Sequence, residues 1–295
     1  CEGSYSVILM INDYGLIAFR DIYGIRPLVY SINKNYIELA SETIALKNNN
    51  NYINLKNGEL LIIDKKLNYE NIQIYNYPLK PCLFEYIYFA RPESYINDIL
   101  VYEYREKISR KIINNIKEHY DLNDIDYVVP IPQTALITGI KIAEDIKKPL
   151  KHAIFKNRYT HRTFINSTNN KIIKNIKKIK VIKKYIYNKN ILLIDDSIVR
   201  GNTIKHIINE LKKNNIKKIF LCSCSPPIKF PNIYGISIPS YEELIANNKN
   251  IEELRKELNI DKLTYLTLDD LCNTLYELNN NIKFFETSVF NGKYI

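Results

Sequence analysis

The sequence has no tryptophan, one methionine (Met10), eight glycines and five cysteines among its 295 residues. The cysteines (Cys1, Cys82, Cys222, Cys224, Cys272) are odd in number and scattered, which excludes a disulfide framework and the spacing of a zinc site. Cys222 and Cys224 stand two apart in an apolar stretch, so they are expected on one face of a strand as buried, inert thiols. No apolar run approaches the roughly 20 residues of a membrane span. No signal-peptide pattern opens the chain and no internal repeat runs through it. A cytoplasmic protein is expected.

Hydrophobic residues at 46% and charged residues at 25% are globular averages, which exclude a disordered tail or a fibre. The length suits one large domain or two modest ones. A net charge of +10 favours phosphate-bearing partners without choosing between nucleic acid and a small phosphorylated substrate. Much of the surplus reads as solvated surface, because Lys and Asn recur everywhere, as in Lys47-Asn48-Asn49-Asn50-Asn51 and Asn279-Asn280-Asn281.

Residues 1–79 alternate short apolar runs with turns, at 5–11, 16–19, 28–30 and 60–63, and predict antiparallel strands with one short helix over 41–47. From about residue 80 strands alternate with amphipathic helices, the pattern of a parallel sheet covered by helices. Buried strands are expected at 126–130, 191–194 and 218–224. Leu136, Gly139, Ile140 and Ala143 define one buried helix face, and Ile204, Ile207, Ile208 and Leu211 another. Residues 241–283 read as helical. Three parts are therefore expected: 1–79, 80–240 and 241–295.

One segment carries chemistry: Asp195-Asp196-Ser197-Ile198-Val199-Arg200-Gly201-Asn202-Thr203, delivered by the apolar run Ile191-Leu192-Leu193-Ile194. Ligands of open α/β sheets bind at the carboxyl ends of the strands. Adjacent strand residues point to opposite sides, so two carboxylates there can grip different parts of one ligand. The small, hydroxyl-bearing loop and Gly201 then open a helix whose N–H groups suit an anion. Acids for sugar hydroxyls or a metal, followed by an amide cradle, describe a ribose 5-phosphate site.

This string resembles the phosphoribosyl pyrophosphate signature of type I phosphoribosyltransferases, in the form found in amidophosphoribosyltransferases. Further matches follow in the family's order. Arg20-Asp21-Ile22-Tyr23-Gly24-Ile25-Arg26-Pro27-Leu28 and Ala40-Ser41-Glu42 resemble glutaminase-domain landmarks. Phe84-Glu85-Tyr86-Ile87-Tyr88-Phe89-Ala90-Arg91-Pro92 resembles the start of the transferase domain, and Lys156-Asn157-Arg158-Tyr159 with Arg162-Thr163-Phe164-Ile165 its active-site loop. Pro231-Asn232-Ile233-Tyr234-Gly235 and Ser288-Val289-Phe290-Asn291-Gly292 complete the set.

The resemblance implies an α/β type I phosphoribosyltransferase fold preceded by part of an N-terminal-nucleophile (Ntn) glutaminase domain of α+β type. It implies replacement of the pyrophosphate of phosphoribosyl pyrophosphate by ammonia, free or glutamine-derived, at the committing step of purine synthesis. Asp195, Asp196 and Thr134 match Mg²⁺ and substrate positions, one ion per subunit, and Ser197 to Thr203 would hold the 5-phosphate. Lys156, Tyr159 and Arg162 match catalytic loop residues that close over the pyrophosphate. The tract 171–189, with eight lysines and no acid, reads by itself as a nucleic-acid patch, a solvated face or part of the phosphate collector. Its place in the family order favours the last, with Lys178 as the candidate contact. A homo-oligomer is expected, without membrane or nucleic-acid partners. The alternative is a regulator that reuses the transferase fold to bind nucleic acid in response to purines.

Departures from the family pattern add expectations. Cys1-Glu2-Gly3-Ser4-Tyr5-Ser6 resembles a Gly-Ala-Tyr-Ser strand deep inside the glutaminase domain, so Cys1 is not read as its nucleophile. Cys82 matches one ligand of the iron–sulfur cluster some members hold, but Asn232 and Thr287 stand near other cysteine positions, and no cluster is expected. Thr160-His161 replaces a Val-Gly in the active-site loop, which bears on its closure. With ammonia as nitrogen donor this chain is expected to form phosphoribosylamine, and with glutamine alone to form none. Assay of phosphoribosylamine with each donor checks this, and robust formation from glutamine contradicts it.

Overall fold

The computed structural model describes residues 2–47, 51–156, 179–238 and 240–295, and the chain divides into two compact units. One comprises residues 1–105, 231–239 and 271–295; the other comprises 106–230 and 240–270. This division cuts across the three parts expected from the sequence, because residues 80–105 and the tail from 271 pack with the N-terminal strands.

In the first unit, β1 (Ser6–Ile11), β2 (Gly15–Arg20), β6 (Glu59–Asp64) and β7 (Tyr69–Gln73) form an antiparallel sheet in the order β1-β2-β6-β7. A second sheet has the order β4-β3-β5, from β3 (Val29–Ile32), β4 (Ile37–Ala40) and β5 (Ile53–Asn54). Ala18, Leu61 and Ile63 from one sheet meet Leu28, Tyr30 and Leu55 in one apolar cluster. Alternation of buried and half-buried residues along β6 is the pattern of a strand with one face in a core. The short helix expected over 41–47 shrinks to a single 3-10 turn, Thr43–Ala45. A two-residue hairpin of β8 (Tyr95–Ile96) and β9 (Ile99–Leu100) then leads into α1 (Val101–His119).

A buried turn holds this unit together. The Asp21 carboxylate accepts the amides of Tyr23, Ile25 and Arg26 at 3.1, 3.0 and 3.2 Å. Beside it the Arg20 guanidinium donates to the carbonyls of Arg26, Leu55 and Gly24 at 2.6, 2.9 and 2.7 Å. The landmark motif Arg20-Asp21 is thus a backbone clamp in this fold.

The second unit is built on a parallel sheet, β10-β13-β14-β15, comprising β10 (Tyr127–Pro130), β13 (Asn190–Asp195), β14 (Lys218–Ser223) and β15 (Lys262–Tyr265). Every residue of β13 is buried, as a central parallel strand covered on both faces requires. Ile191 and Leu193 share a cluster with Ile204, Ile207, Ile208 and Leu211 of α3 (Asn202–Lys213) and Leu254 and Leu258 of α4 (Ile251–Leu258). The apolar face expected for α3 is the face it buries.

Two expectations need correction. α2 (Leu136–Asp145) buries Thr138, Gly139, Ile142 and Ala143, whereas Ile140 is 38% exposed. Gly139 explains the rotation: a Cβ there would come within 2.7 Å of Pro130 Cβ, so the helix lies on β10 through its glycine. The stretch 241–283 is not continuous helix, because β15 intervenes between α4 and α5 (Leu268–Leu278) and pairs in parallel with β14. Asn259, left-handed at φ 53°, ends α4, and pairing with an already formed sheet then overrides local helical propensity.

Replacing Arg20 by Met strands three carbonyl acceptors in a buried turn. Chemical denaturation of Arg20→Met is expected to show a loss of about 3 kcal/mol or more, and a variant within about 0.5 kcal/mol of the parent would contradict the clamp.

Candidate functional site

Asp195 ends β13 and Asp196 follows it, and both are 8% exposed. The Asp196 amide donates to Asp195 Oδ1 at 3.0 Å, and Ser197 Oγ donates to Asp196 Oδ1 at 3.1 Å. Burial, followed by the neighbouring Asp196 charge, pushes the Asp195 carboxyl well above the usual aspartate range. A buried acid beside a second carboxylate forms a pair that a divalent cation would relieve. Mg²⁺ takes hard oxygen ligands and keeps waters and substrate oxygens in its shell, so a pair suits it without a full protein cage. Among the described residues no group of three His, Cys, Asp or Glu side chains could hold a metal. The donor set fits a cation shared with a ligand.

Thr134 lies in the turn between β10 and α2. Pro130 pairs with Ile194, and the Ile131 amide donates to the Ile194 carbonyl at 2.9 Å, so this turn leaves the sheet at the same edge as Asp195. Thr134 is half-buried there.

The loop after the carboxylates is backed by segment 240–246. Ile198 is buried in the core cluster, and the Ile245 amide donates to the Val199 carbonyl at 3.0 Å. Arg200 is paired with Glu243. Gly201 has φ 75°, and a Cβ on it would meet Ile245 Cδ1 at 2.4 Å, so conformation and space both demand glycine. As N-cap of α3 it offers no side-chain cap, which leaves the first-turn amides at Asn202 and Thr203 without that partner. Side chains of Ile198 and Arg200 thus point to the core and to Glu243. What the loop can offer an anion is backbone N–H groups and the hydroxyls of Ser197 and Thr203.

The structure brings Thr134, Asp195, Asp196 and residues 197–203 to one sheet edge. Lys156 ends β11 (Ile154–Lys156), which pairs antiparallel with β12 (Ile179–Val181). That ladder places Lys156 opposite Ile179. Tyr159, Arg162 and Lys178 lie outside the described residues. Sequence reasoning missed the backing of the loop by Glu243 and Ile245, and it missed Tyr265, whose strand was read as helix; the apolar alternation Leu263, Tyr265 after Asn259 was the available signal.

In the first unit, Cys82 is buried, and its thiol is pushed up by burial and then by Glu286. Asn232 Oδ1 accepts the amides of Tyr234 and Ile236, both at 2.9 Å, and Thr287 Oγ1 accepts from Asn291 Nδ2 at 3.0 Å. Asn232 thus serves the backbone of its own turn, and Thr287 a neighbouring asparagine.

Comparison with known proteins shows what the chain is similar to. The family described as phosphoribosyl transferase domain matches residues 98–227. Amidophosphoribosyltransferase of Escherichia coli K12 is 39% identical over all of this chain and 60% of its own length, and that of Saccharomyces cerevisiae is 35% identical with the same coverage. The solved glutamine phosphoribosylpyrophosphate amidotransferase of B. subtilis, complexed with ADP and GMP, superposes with a TM-score of 0.85 at 29% identity, over 99% of this chain and 64% of that one. The chain thus spans about 60% of the length of the curated relatives it matches. No helix among the described residues is long and apolar enough to cross a membrane.

The raised Asp195 carboxyl has a sign. The folded state keeps this proton to a higher pH than the unfolded chain does, so its effect is absent below the ordinary aspartate range, and stability is lost as pH rises through the raised value. Asp195→Asn is therefore expected to melt about 2–5 °C above the parent at pH 8, with the difference shrinking toward pH 4. A variant melting below the parent at pH 8 would contradict this electrostatic account.

Proposed function

We propose that this chain, similar from end to end to amidophosphoribosyltransferases, joins ammonia to phosphoribosyl pyrophosphate, giving 5-phosphoribosylamine and pyrophosphate at the first committed step of purine (IMP) synthesis. The reading is carried by one observation: two buried carboxylates end a parallel strand and lead directly into a glycine-opened helix N-terminus. The nitrogen–C1 bond forms as the bond from C1 to the pyrophosphate oxygen breaks, and the ammonium proton passes to solvent.

In this reading Asp195 and Asp196 fix the ribose and, with Thr134, hold one Mg²⁺ per subunit. Bound Mg²⁺ would supply charge neutralisation for the departing pyrophosphate. Asn202 and Thr203 amides, with the Ser197 and Thr203 hydroxyls, anchor the 5-phosphate. Anchoring at one end and gripping the hydroxyls at the other leaves C1 presented for attack, which lowers the entropic part of the barrier. Lys156, Tyr159 and Arg162, with Lys178, would cover the pyrophosphate and keep out water, which competes with ammonia for C1. The reading extends to a cytoplasmic homo-oligomer. Its relatives carry the name of an enzyme, which favours it over a nucleic-acid-binding regulator.

Pyrophosphate release from phosphoribosyl pyrophosphate, with ammonia and Mg²⁺, is expected to fall about a hundredfold or more in Asp195→Asn/Asp196→Asn. A doubly substituted chain as active as the parent would overturn the proposal. Salt-dependent capture of nucleic acid without pyrophosphate release would restore the regulator.

A further inference from the structure

Tyr265 ends β15 at the same edge as the two carboxylates. Asp195 pairs in register with Ser223, and Ser223 with Tyr265, so in this parallel sheet the three side chains share one face. Tyr265 is only 6% exposed, yet among the described residues its hydroxyl has no hydrogen-bond partner. Ser223, between them, directs its own hydroxyl to the Ser225 carbonyl at 3.1 Å. The tyrosine packs in the same apolar cluster as Ile198 and Ile245, which shape the loop, and burial, followed by the Asp195 charge, pushes its hydroxyl well above the usual tyrosine range. A buried hydroxyl left unpaired is costly, and a carboxylate on the same sheet face, one strand beyond Ser223, is an acceptor of the kind it lacks.

We propose that Tyr265 is a positioning residue: its hydroxyl donates to the Asp195 carboxylate when ligand turns that carboxylate toward the sugar. This inference rests on the functional reading above. It assigns to β15 a part in substrate binding beside the two aspartates, and it gives the Tyr265 hydroxyl no part in the phosphate cradle, which is read from Ser197 and the α3 amides.

Tyr265→Phe removes the hydroxyl and keeps the ring. Calorimetric titration of parent and variant with phosphoribosyl pyrophosphate plus Mg²⁺, and separately with inorganic phosphate, tests the assignment together with thermal melting. Affinity for phosphoribosyl pyrophosphate is expected to fall about tenfold, as loss of a hydrogen bond to a charged group implies. Affinity for inorganic phosphate should stay within about twofold, and the melting temperature should not fall, because an unsatisfied polar group has been removed. Unchanged affinity for phosphoribosyl pyrophosphate would overturn the inference alone. Parallel loss of both ligands with a lowered melting temperature would reduce Tyr265 to a packing residue and overturn it as well. A parent chain that binds no phosphoribosyl pyrophosphate would overturn the functional reading, and this inference with it.

Discussion

Two carboxylates forced together at the end of a fully buried strand set the terms for the second unit. Asp195 and Asp196 sit where an apolar strand must stop and polar groups can first meet solvent, and burial, then the Asp196 charge, penalise the ionisation of Asp195. A folded chain gains nothing in stability from such a pair. Its chemical sense lies in what would neutralise it, namely a cation together with the oxygens of a ligand that the cation also binds. Strain of this kind is tolerable because the sheet beneath, with Ile191 and Leu193 packed against α3 and α4, supplies cohesion.

The loop beyond the carboxylates is fixed from behind. Ile245 fills the space that any side chain at residue 201 would need and binds the Val199 carbonyl, while Glu243 holds the Arg200 guanidinium. Backbone amides are therefore presented by a scaffold that costs little to order when an anion arrives. Segment 240–246 gives this support through Val199, Arg200 and Gly201, although it lies outside the motif that carries them. The cradle and the carboxylates are two parts of one strand–loop–helix unit, so a ligand with a phosphate at one end and hydroxyls at the other fits both at once.

Much of this was legible in the residues. The apolar run Ile191 to Ile194 could only be a buried strand, and Ile204, Ile207, Ile208 and Leu211 mark a helix face that the structure buries as expected. Glycine in a loop that opens a helix signalled its conformation, and Gly201 indeed has a positive φ. Less legible was anything decided by distant packing. The run Lys262 to Tyr265 becomes a strand because β14 offers it an edge, of which the alternation Leu263, Tyr265 is only a short local sign, and Ile140 is displaced from the buried face because Gly139 draws α2 onto Pro130. The tail from residue 271 joins the N-terminal strands for the same reason. Roles of individual loop residues were also hidden, since Arg200 looks like a phosphate ligand in sequence but faces Glu243 in the fold.

The most direct measurement of the central claim is the rise in melting temperature of the parent chain when phosphoribosyl pyrophosphate is added with and without Mg²⁺. Ligand at about a hundred times its dissociation constant stabilises a folded state by roughly 2.7 kcal/mol. The account predicts a clear rise with Mg²⁺ present and little or none in its absence, because two adjacent carboxylates repel a ligand that carries both a phosphate and a pyrophosphate. An equal rise without Mg²⁺ would contradict it.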